Sequence, residues 1–368
     1  MHILQLAPLW ENIPPPAYGG TEAVVHTLVE GLVARGHDVT LVATGESTTS
    51  ARLLSTYPRP LRSEGQLTDK LPYELAHLSA ALDEASRGYD VVHNHMGSIA
   101  VPFSSLSSAP MLSTKHCLLD GDWEHAWQNY QGYYCTVSKR AFEVLPSTVG
   151  GTYAGHVYNA IDVESFPFSA DKEDYVLFLS RIAPEKAPHL AIEAAQRAGC
   201  RIVVAGKVDP NPTDEQYFRD VLAPLLRLPG VEWLGEADAS LKRSLYARAR
   251  ALLLPIVWEE PFGLVMAEAM ACGTPVIAFR RGAAPEVIAD GLSGYLVDDV
   301  EGMVDALGKL DALSATACRR HALENFDAHV MVDNYIAVYE RILAAEAQTM
   351  AATVDTAMRK QSGATHAA

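Results

Sequence analysis

The sequence predicts an α/β protein with parallel sheets, divided into two domains of similar size. Short apolar strands alternate with amphipathic helices, which is the pattern that parallel sheets with crossover helices produce. This pattern starts near residue 3 and starts again near residue 175. The polar segment 161–172 between the two runs has no clear period, so we place the hinge there. A chain of 368 residues is long enough for two domains that each bury a core.

The first half contains one strongly periodic helix between strands. Residues 21–35 place apolar side chains on one face, and Gly36 is a typical helix stop. Strands are predicted at residues 3–6, 38–43, 91–93, 111–114 and 134–137. Residues 45–75 show no clear period, and we expect them to be mostly loop.

The second half repeats the alternation. Strands are predicted at residues 175–179, 201–205, 231–234, 251–257 and 274–279, with helices at residues 190–198 and 241–249. A further helix over residues 332–345 carries Tyr335 and Tyr339 at helical spacing. The tail lacks a strong apolar stripe, so we expect it to be disordered. The expected division is 1–165, 166–330, a helix at 331–346 and the tail 347–368.

Composition and charge exclude several classes of protein. Hydrophobic residues make up 49% and charged residues 20%, and no apolar run approaches the roughly 18 residues of a membrane span. A net charge of −16 disfavours nucleic-acid binding. No leader precedes the first strand, and the five cysteines, odd in number and in apolar settings, form no C-x-x-C pair and no zinc spacing. We therefore expect a cytoplasmic protein with buried, reduced thiols, no integral membrane segment and no nucleic-acid partner.

Two carboxylates dominate the segment EPFGLVMAEAMACG. Glu260 and Glu268 follow a predicted strand, and Gly263 and Leu264 open a predicted helix whose free N–H groups favour an anion such as phosphate. A helix spanning both acids would separate them by about 12 Å. The two carboxyl groups of a glycosidase lie only about 5–9.5 Å apart, which is too close for this pair. Glu260 and Glu268 are therefore better placed to bind the two ends of an extended ligand. A solvated helix face is the alternative that spacing alone leaves open.

This segment, together with GAAPE and DGLSG downstream, resembles the E-x7-E signature of family 4 glycosyltransferases, and the resemblance extends over roughly residues 1–340. These are retaining enzymes that use a nucleotide sugar and have the GT-B fold. The resemblance implies two Rossmann-like doubly wound domains facing a central cleft, with a C-terminal helix that crosses back to the first domain. It also implies that Glu260 contacts the donor sugar and that Glu268 binds the ribose hydroxyls.

The resemblance extends to two further phosphate-binding loops. Arg181 and Lys186 occur in SRIAPEK, after the first strand of the second half. The guanidinium of arginine offers several N–H donors in one plane and the ammonium of lysine a compact positive charge, a combination that suits a leaving diphosphate. Gly19 and Gly20 precede the first helix, where glycine lets backbone N–H groups approach an anion. The structural alternative for Arg181 and Lys186 is a pair of solvated side chains. The structural alternative for Gly19 and Gly20 is an ordinary turn.

Three more residues match the family less closely. His116 resembles the active-site histidine near the sugar 6-hydroxyl, although a lone histidine is more often structural. Asn159 matches a motif that usually carries glycine where this chain has Ala160, which leaves the local turn uncertain. Glu286 is expected to order the loop near the sugar or nucleotide. His93 and His95 lie at another strand end and could line the acceptor side.

The predicted reaction is transfer of a hexose from a nucleotide sugar to a hydroxyl of a sugar or small-molecule acceptor, with retention. UDP-glucose is the favoured donor, ahead of GDP-mannose and UDP-N-acetylglucosamine. No metal or other cofactor is expected, and Asp120-Gly121-Asp122 is interpreted as an acidic turn on the acceptor side. A nucleotide-sugar epimerase and a non-catalytic sugar-nucleotide-binding protein remain as alternatives. A nicotinamide oxidoreductase is disfavoured because no G-x-G-x-x-G follows a strand. Nothing in the sequence indicates an oligomeric state.

Overall fold

The computed structural model describes residues 1–17, 19–119 and 121–364. Its first part alternates strands and helices: β1 His2–Leu6, α1 Gly20–Ala34, β2 Asp38–Val42, β3 Arg52–Leu54, α2 Leu71–Ala85, β4 Val91–Asn94, β5 Met111–Lys115, α3 Trp123–Gln128, β6 Tyr133–Thr136, α4 Lys139–Glu143 and β7 Thr152–His156. Within the described residues these seven strands form one parallel sheet, in the order β3-β2-β1-β4-β5-β6-β7. A 3-10 helix, Gly97–Leu106, follows β4.

The second part repeats the pattern: β8 Val176–Leu179, α5 Pro188–Arg197, β9 Ile202–Ala205, α6 Pro212–Tyr217, α7 Ala223–Leu225, β10 Val231–Trp233, α8 Ala239–Arg248, β11 Leu252–Leu254, α9 Leu264–Ala271, β12 Val276–Phe279, α10 Ala284–Val287, β13 Gly294–Val297, α11 Val300–Leu307, α12 Ala315–Phe326 and α13 Ala328–Ala364. Its described strands form a six-stranded parallel sheet, β10-β9-β8-β11-β12-β13. Short 3-10 helices lie at Val163–Ser165, Pro184–Lys186 and Leu310–Ala312, and a π-helical turn at Phe218–Leu222.

Each sheet reverses its strand order at one point, between β1 and β4 in the first and between β8 and β11 in the second. Loops that leave the carboxyl ends of two strands diverging in this way form a crevice, which is where doubly wound sheets bind ligands. The predicted architecture is therefore confirmed. The strands at both reversals are buried along nearly their whole length, as strands covered by helices on both faces must be. Strands β8 and β11 are entirely apolar, whereas β1 and β4 carry the buried polar residues Gln5, His93 and Asn94.

The last helix returns to the first domain. Met331, Val332, Tyr335, Val338 and Tyr339 of α13 are buried in the same apolar cluster as Val25, Leu28 and Leu32 of α1. Tyr335 and Tyr339 also donate or accept hydrogen bonds with Thr114 and Gln5 inside this core. Burial of these large rings attaches the C-terminal helix to the first sheet, as the GT-B resemblance implied.

Residues 45–75 are mostly loop, as expected, and include the short β3 and the start of α2. Helix α2 was not predicted, because its buried positions include His77 and Glu84, so its apolar period is hard to see. Two expectations about structure are wrong. Helix α13 continues to Ala364 instead of ending near residue 346, and the alanine-rich sequence there has high helix propensity. Cys117 is exposed, although Cys135, Cys272 and Cys318 are buried.

Candidate active site

The predicted signature loop lies at the reversal point of the second sheet. It joins β11 to α9, and α9 begins only at Leu264, so Glu260 lies in the loop and Glu268 on the helix. The helical-rise estimate of their separation therefore does not apply. Gly263 has φ 80°, a left-handed conformation that favours glycine, and it turns the chain into the helix.

Glu260 is held in a half-enclosed cluster with Lys186 and Trp258. Its Oε2 accepts hydrogen bonds from Lys186 Nζ and from Trp258 Nε1, the latter at 2.8 Å. Lys186 Nζ also lies 4.8 Å from the centroid of the Trp258 ring, a cation–π contact. The Lys186 and Glu260 side chains are only 12% and 13% exposed. The structure thus brings the predicted sugar-contacting acid and one predicted phosphate-binding cation together.

The backbone around Gly282 supports this cluster. The N–H of Ala283 donates to the carbonyl oxygen of Glu260 at 2.8 Å. Gly282 has φ 57°, and a Cβ atom there would lie 2.3 Å from the Glu260 nitrogen. Only glycine can therefore pass this close to the loop that positions Glu260.

Lys186 and Arg181 lie on the loop after β8, on the other side of the reversal point. Lys186 ends the short 3-10 helix Pro184–Lys186, and the next residue, Ala187, has φ 51°. Arg181 donates through Nη1 to Asp214 Oδ2 at 2.7 Å and through Nη2 to Glu185 Oε1. Both cations of the predicted phosphate site therefore already have carboxylate partners.

Glu268 occupies a separate cluster with α8. Lys242 Nζ donates to its Oε1 at 2.6 Å, and the Tyr246 hydroxyl donates to its Oε2 at 2.9 Å. Burial, followed by the charge of Glu268, raises the pKa of Tyr246 well above its ordinary value, so this phenol stays a donor. Glu268 is thus a buried carboxylate held in one orientation, with lone pairs remaining on both oxygens.

The glycine pair of the first domain faces the start of α9. Gly19 precedes α1, and Gly20 is its first residue. A Cβ atom on Gly20 would lie 3.6 Å from Leu264 Cδ1, so these two predicted donor-binding positions are neighbours across the domain boundary. Leu264 packs against the apolar cores of both domains. Two helix N-termini therefore approach each other at the cleft.

Glu286 joins the two domains. Its Oε2 accepts from the backbone N–H of Lys139 at 2.8 Å and from the Tyr158 hydroxyl at 3.0 Å, and its Oε1 accepts from the N–H of Arg140 at 2.7 Å. Ser138 Oγ donates to the Pro261 carbonyl oxygen at 2.7 Å beside it. The contacts of Glu286 are therefore with the first domain, at the start of α4.

His116 and Asn159 lie on the first-domain side. His116 follows β5, is half-buried, and has its Nε2 2.9 Å from His95 Nδ1. Burial lowers the pKa of His116 to about 4, so its ring is neutral at physiological pH. Asn159 is buried, and its Oδ1 has no hydrogen-bond partner among the described residues. A buried amide oxygen without a partner is costly, so this atom is available to a ligand.

Several functional candidates were missed from the sequence. Asp214, Lys242 and Tyr246 contact predicted site residues, yet none belongs to a motif that marks it in advance. Asp120, part of the predicted acidic turn, lies outside the described residues. Across the described part of the chain, no group of three or more His, Cys, Asp or Glu residues is arranged to hold a metal ion.

Two family models match different parts of the chain. Residues 162–319 match the model of the glycosyl transferases group 1, and residues 18–145 match that of Glycosyltransferase Family 4. The chain belongs to the family 4 glycosyltransferases. The two matches cover the sequence signature and the glycine pair, so the resemblance noted from these motifs is confirmed.

Individual relatives of this glycosyltransferase are distant. A D-inositol 3-phosphate glycosyltransferase of Mycolicibacterium smegmatis is 26% identical over 378 residues, covering 88% of this chain and 87% of that protein. The protein of the same name from Mycobacteroides abscessus is 33% identical over 186 residues, so the match spans 49% of this chain and only 42% of that relative.

Solved structures confirm the GT-B fold of this glycosyltransferase. Sucrose-phosphate synthase from Thermosynechococcus elongatus superposes with a TM-score of 0.75 at 18% identity, covering 94% of this chain and 100% of that one. Anabaena HepE, in complex with UDP and glucose, gives a TM-score of 0.68 at 18% identity over 92% and 99% of the chains. None of the helices in the described residues has the length and apolarity to cross a membrane.

Proposed function

We propose that this glycosyltransferase moves a hexose, with retention, from UDP-glucose to a hydroxyl of a sugar or another small molecule. One observation supports the proposal above all: Lys186, Glu260 and Trp258 form one cluster at the sheet reversal, next to the start of α9. A cation, an acid and an aromatic ring in one crevice suit a ligand that combines phosphate with a hydroxylated ring.

The charge of the leaving nucleotide would be stabilised from both domains. Arg181 and Lys186 would contact the diphosphate, with the N–H groups that follow Gly263 and those at Gly19 and Gly20. Asp214 and Glu260 accept hydrogen bonds from Arg181 and Lys186. The diphosphate must therefore compete with these carboxylates or share their partners, which favours a ligand that carries more than one negative charge.

Glu260 would then orient the sugar, and Glu268 the ribose. Each carboxylate is fixed by two donors, that of Glu268 in a buried site and that of Glu260 in a half-buried one. His116 would accept a hydrogen bond from the sugar 6-hydroxyl, Asn159 would contribute its unpaired amide oxygen, and Glu286 would order the loop beside the sugar.

Retention follows if the acceptor attacks on the face that the leaving group vacates. The bond between the anomeric carbon and the phosphate oxygen breaks, and the acceptor oxygen bonds to the same carbon. The acceptor proton passes to the departing phosphate oxygen, so no enzyme nucleophile is needed. Arg181 and Lys186 would supply the positive charge for this step, which is why we propose that no metal ion is required.

The choice of UDP-glucose takes support from HepE, whose structures include complexes with UDP, with UDP and glucose, and with UDP-glucose. The free thiols of Cys117, Cys135, Cys200, Cys272 and Cys318 fit a reducing compartment such as the cytoplasm.

Calorimetric titration with UDP, GDP and ADP tests the donor class directly. We expect UDP to bind most tightly and Lys186→Met to weaken the affinity for UDP, while the same substitution at the exposed Lys309 leaves that affinity unchanged.

Incubation with UDP-glucose, D-inositol 3-phosphate and simple sugars, followed by NMR of the product anomer, tests transfer and retention. Activity should survive EDTA. An epimerised free sugar would indicate an epimerase, and binding without turnover would indicate a non-catalytic protein.

A further inference from the structure

A row of buried imidazoles leads from the core of the first domain to His116. His93 lies within β4 and His95 directly follows it, and their ring centroids are 3.9 Å apart. The His95 and His116 centroids are 5.2 Å apart, and His95 Nδ1 lies 2.9 Å from His116 Nε2. His93 and His95 are buried, so no solvent reaches the inner end of this row.

Gln5 of β1 connects the row to the C-terminal helix. Its Oε1 lies 2.9 Å from His95 Nε2, and its Nε2 lies 3.0 Å from the Tyr339 hydroxyl. The same hydroxyl is 2.7 Å from His93 Nδ1. Gln5 is fully buried, on the strand at which the first sheet reverses. A buried glutamine at a strand centre needs such partners, and here all of them belong to one network.

The donors and acceptors of this network determine which nitrogen of each ring carries a proton. An amide oxygen only accepts, so His95 Nε2 must donate to Gln5 and His95 Nδ1 must accept. His116 Nε2 then donates to His95, which leaves a lone pair on His116 Nδ1. Tyr339 accepts from the Gln5 amide and gives its own proton to His93. If the Gln5 amide were rotated by about 180°, each donor in this network would become an acceptor and each acceptor a donor. The orientation of the Gln5 side chain therefore determines the tautomers of the three histidines.

Burial keeps the network in its neutral form. It lowers the pKa of His93 and His95 well below the ordinary value and that of His116 to about 4. Burial also raises the pKa of Tyr339, so its phenol retains its proton. The charged form of His116 would lower the pKa of His93 and His95 further, and that of His93 would lower the pKa of His95.

We propose that Gln5 and His95 are positioning residues that fix His116 as the Nε2-protonated tautomer and present its Nδ1 to the cleft as a hydrogen-bond acceptor for a sugar hydroxyl. The tautomer follows from the network with Gln5 Oε1 toward His95, whereas the hydroxyl ligand rests on the proposed function. Tyr339 makes the C-terminal helix part of this arrangement, because its hydroxyl lies within hydrogen-bond distance of both Gln5 Nε2 and His93 Nδ1. The helix would therefore influence the site without touching the ligand.

The tautomer can be observed without any activity. In the full chain labelled with ¹⁵N-histidine, long-range ¹H–¹⁵N spectra at pH 7.5 should show His116 protonated on Nε2. Gln5→Met should give a mixture of tautomers, and Gln5→Glu should keep the wild-type form because a carboxylate still accepts from His95. The same substitution at the exposed Gln66 is the control and should change nothing. A wild-type His116 protonated on Nδ1, or a Gln5→Met spectrum identical to wild type, would overturn the proposal.

The hydroxyl is tested by comparing UDP-glucose with its 6-deoxy analogue. Gln5→Met should lower kcat/KM for UDP-glucose in proportion to the fraction of His116 that is no longer protonated on Nε2, about 2-fold for an equal mixture, and leave the deoxy donor nearly unaffected. Gln5→Glu should restore the preference. An equal loss for both donors would mean that Gln5 only stabilises the fold. If no donor is turned over, the proposed function fails, while the spectra still decide the tautomer.

Discussion

Replacing Glu260 by glutamine should destabilise the ligand-free protein. Oε2 of the carboxylate accepts from both Lys186 and Trp258, so the oxygen of a glutamine amide can keep both hydrogen bonds but carries no negative charge to balance Lys186. Lys186 would then keep its charge in a site where it is only 12% exposed. Removing one partner of a buried pair costs about 3–5 kcal/mol. Taking the lower value, the melting temperature of a domain of this size should fall by about 6–12 °C.

UDP should reverse part of this loss. Its diphosphate supplies the negative charge that Glu260→Gln removes, and Lys186 no longer has to leave a carboxylate in order to bind it. We expect UDP to bind the variant up to about 10-fold more tightly than wild type, while turnover falls by about 100-fold or more. Differential scanning calorimetry with and without UDP, together with isothermal titration, measures both effects. A variant as stable as wild type without UDP, or one that binds UDP more weakly, would refute the reasoning.

Glu259→Gln is the matched control. It changes the neighbouring residue in the same way, but Glu259 pairs with Arg140 at 2.8 Å where the two side chains are 34% and 41% exposed. The hydrogen bond from Arg140 lowers the pKa of Glu259, yet water screens a pair this exposed. The loss should stay below about 1 kcal/mol, and UDP affinity should not change.

Three further outcomes can be tested. Gly282→Ala should lower turnover at least about 10-fold, because its Cβ would lie 2.3 Å from the Glu260 nitrogen and displace the loop. Glu268→Gln should leave Lys242 without its carboxylate and weaken UDP binding, measured by titration, by about 10-fold or more. Burial lowers the pKa of Lys172 to about 8, so above pH 8 the unfolded chain binds the extra proton. The free energy of unfolding, compared with that of Lys172→Met, should then rise with pH by at most about 1.4 kcal/mol per pH unit. The rise should end near pH 10.4, the pKa of lysine in the unfolded chain, and urea unfolding measures it.

The fold was predictable where burial imposes a simple pattern. Strands such as β8 and β11 are covered on both sides, so they consist of apolar residues only, and a sequence shows this directly. Strand β7 was missed because it is an edge strand with the sequence TYAGH, in which no residue is fully buried. Helix α2 was missed because hydrogen bonds satisfy polar side chains on its buried face, as His77 illustrates.

The site was predictable only in part, for a related reason. Glu260, Lys186 and Glu268 occur in motifs, and a motif can be recognised from adjacent letters. Their partners follow from the fold: Lys242 is 26 positions from Glu268, and Gln5 is 334 positions from Tyr339. A local sequence pattern cannot predict a contact between residues so far apart in the chain. These partners could be identified only once the strand order was known.

The contacts of Glu286 indicate how it would contribute to the proposed donor binding. Its carboxylate accepts two backbone N–H groups and one phenol of the first domain, an arrangement that glutamine cannot reproduce because an amide has a single acceptor oxygen. Gly20 and Leu264 belong to different domains, and a Cβ on Gly20 would lie only 3.6 Å from Leu264 Cδ1. Their approach therefore depends on the contacts that set the domain positions. Glu286 is one of these contacts, and we propose that it supports the donor site by holding the two helix N-termini together.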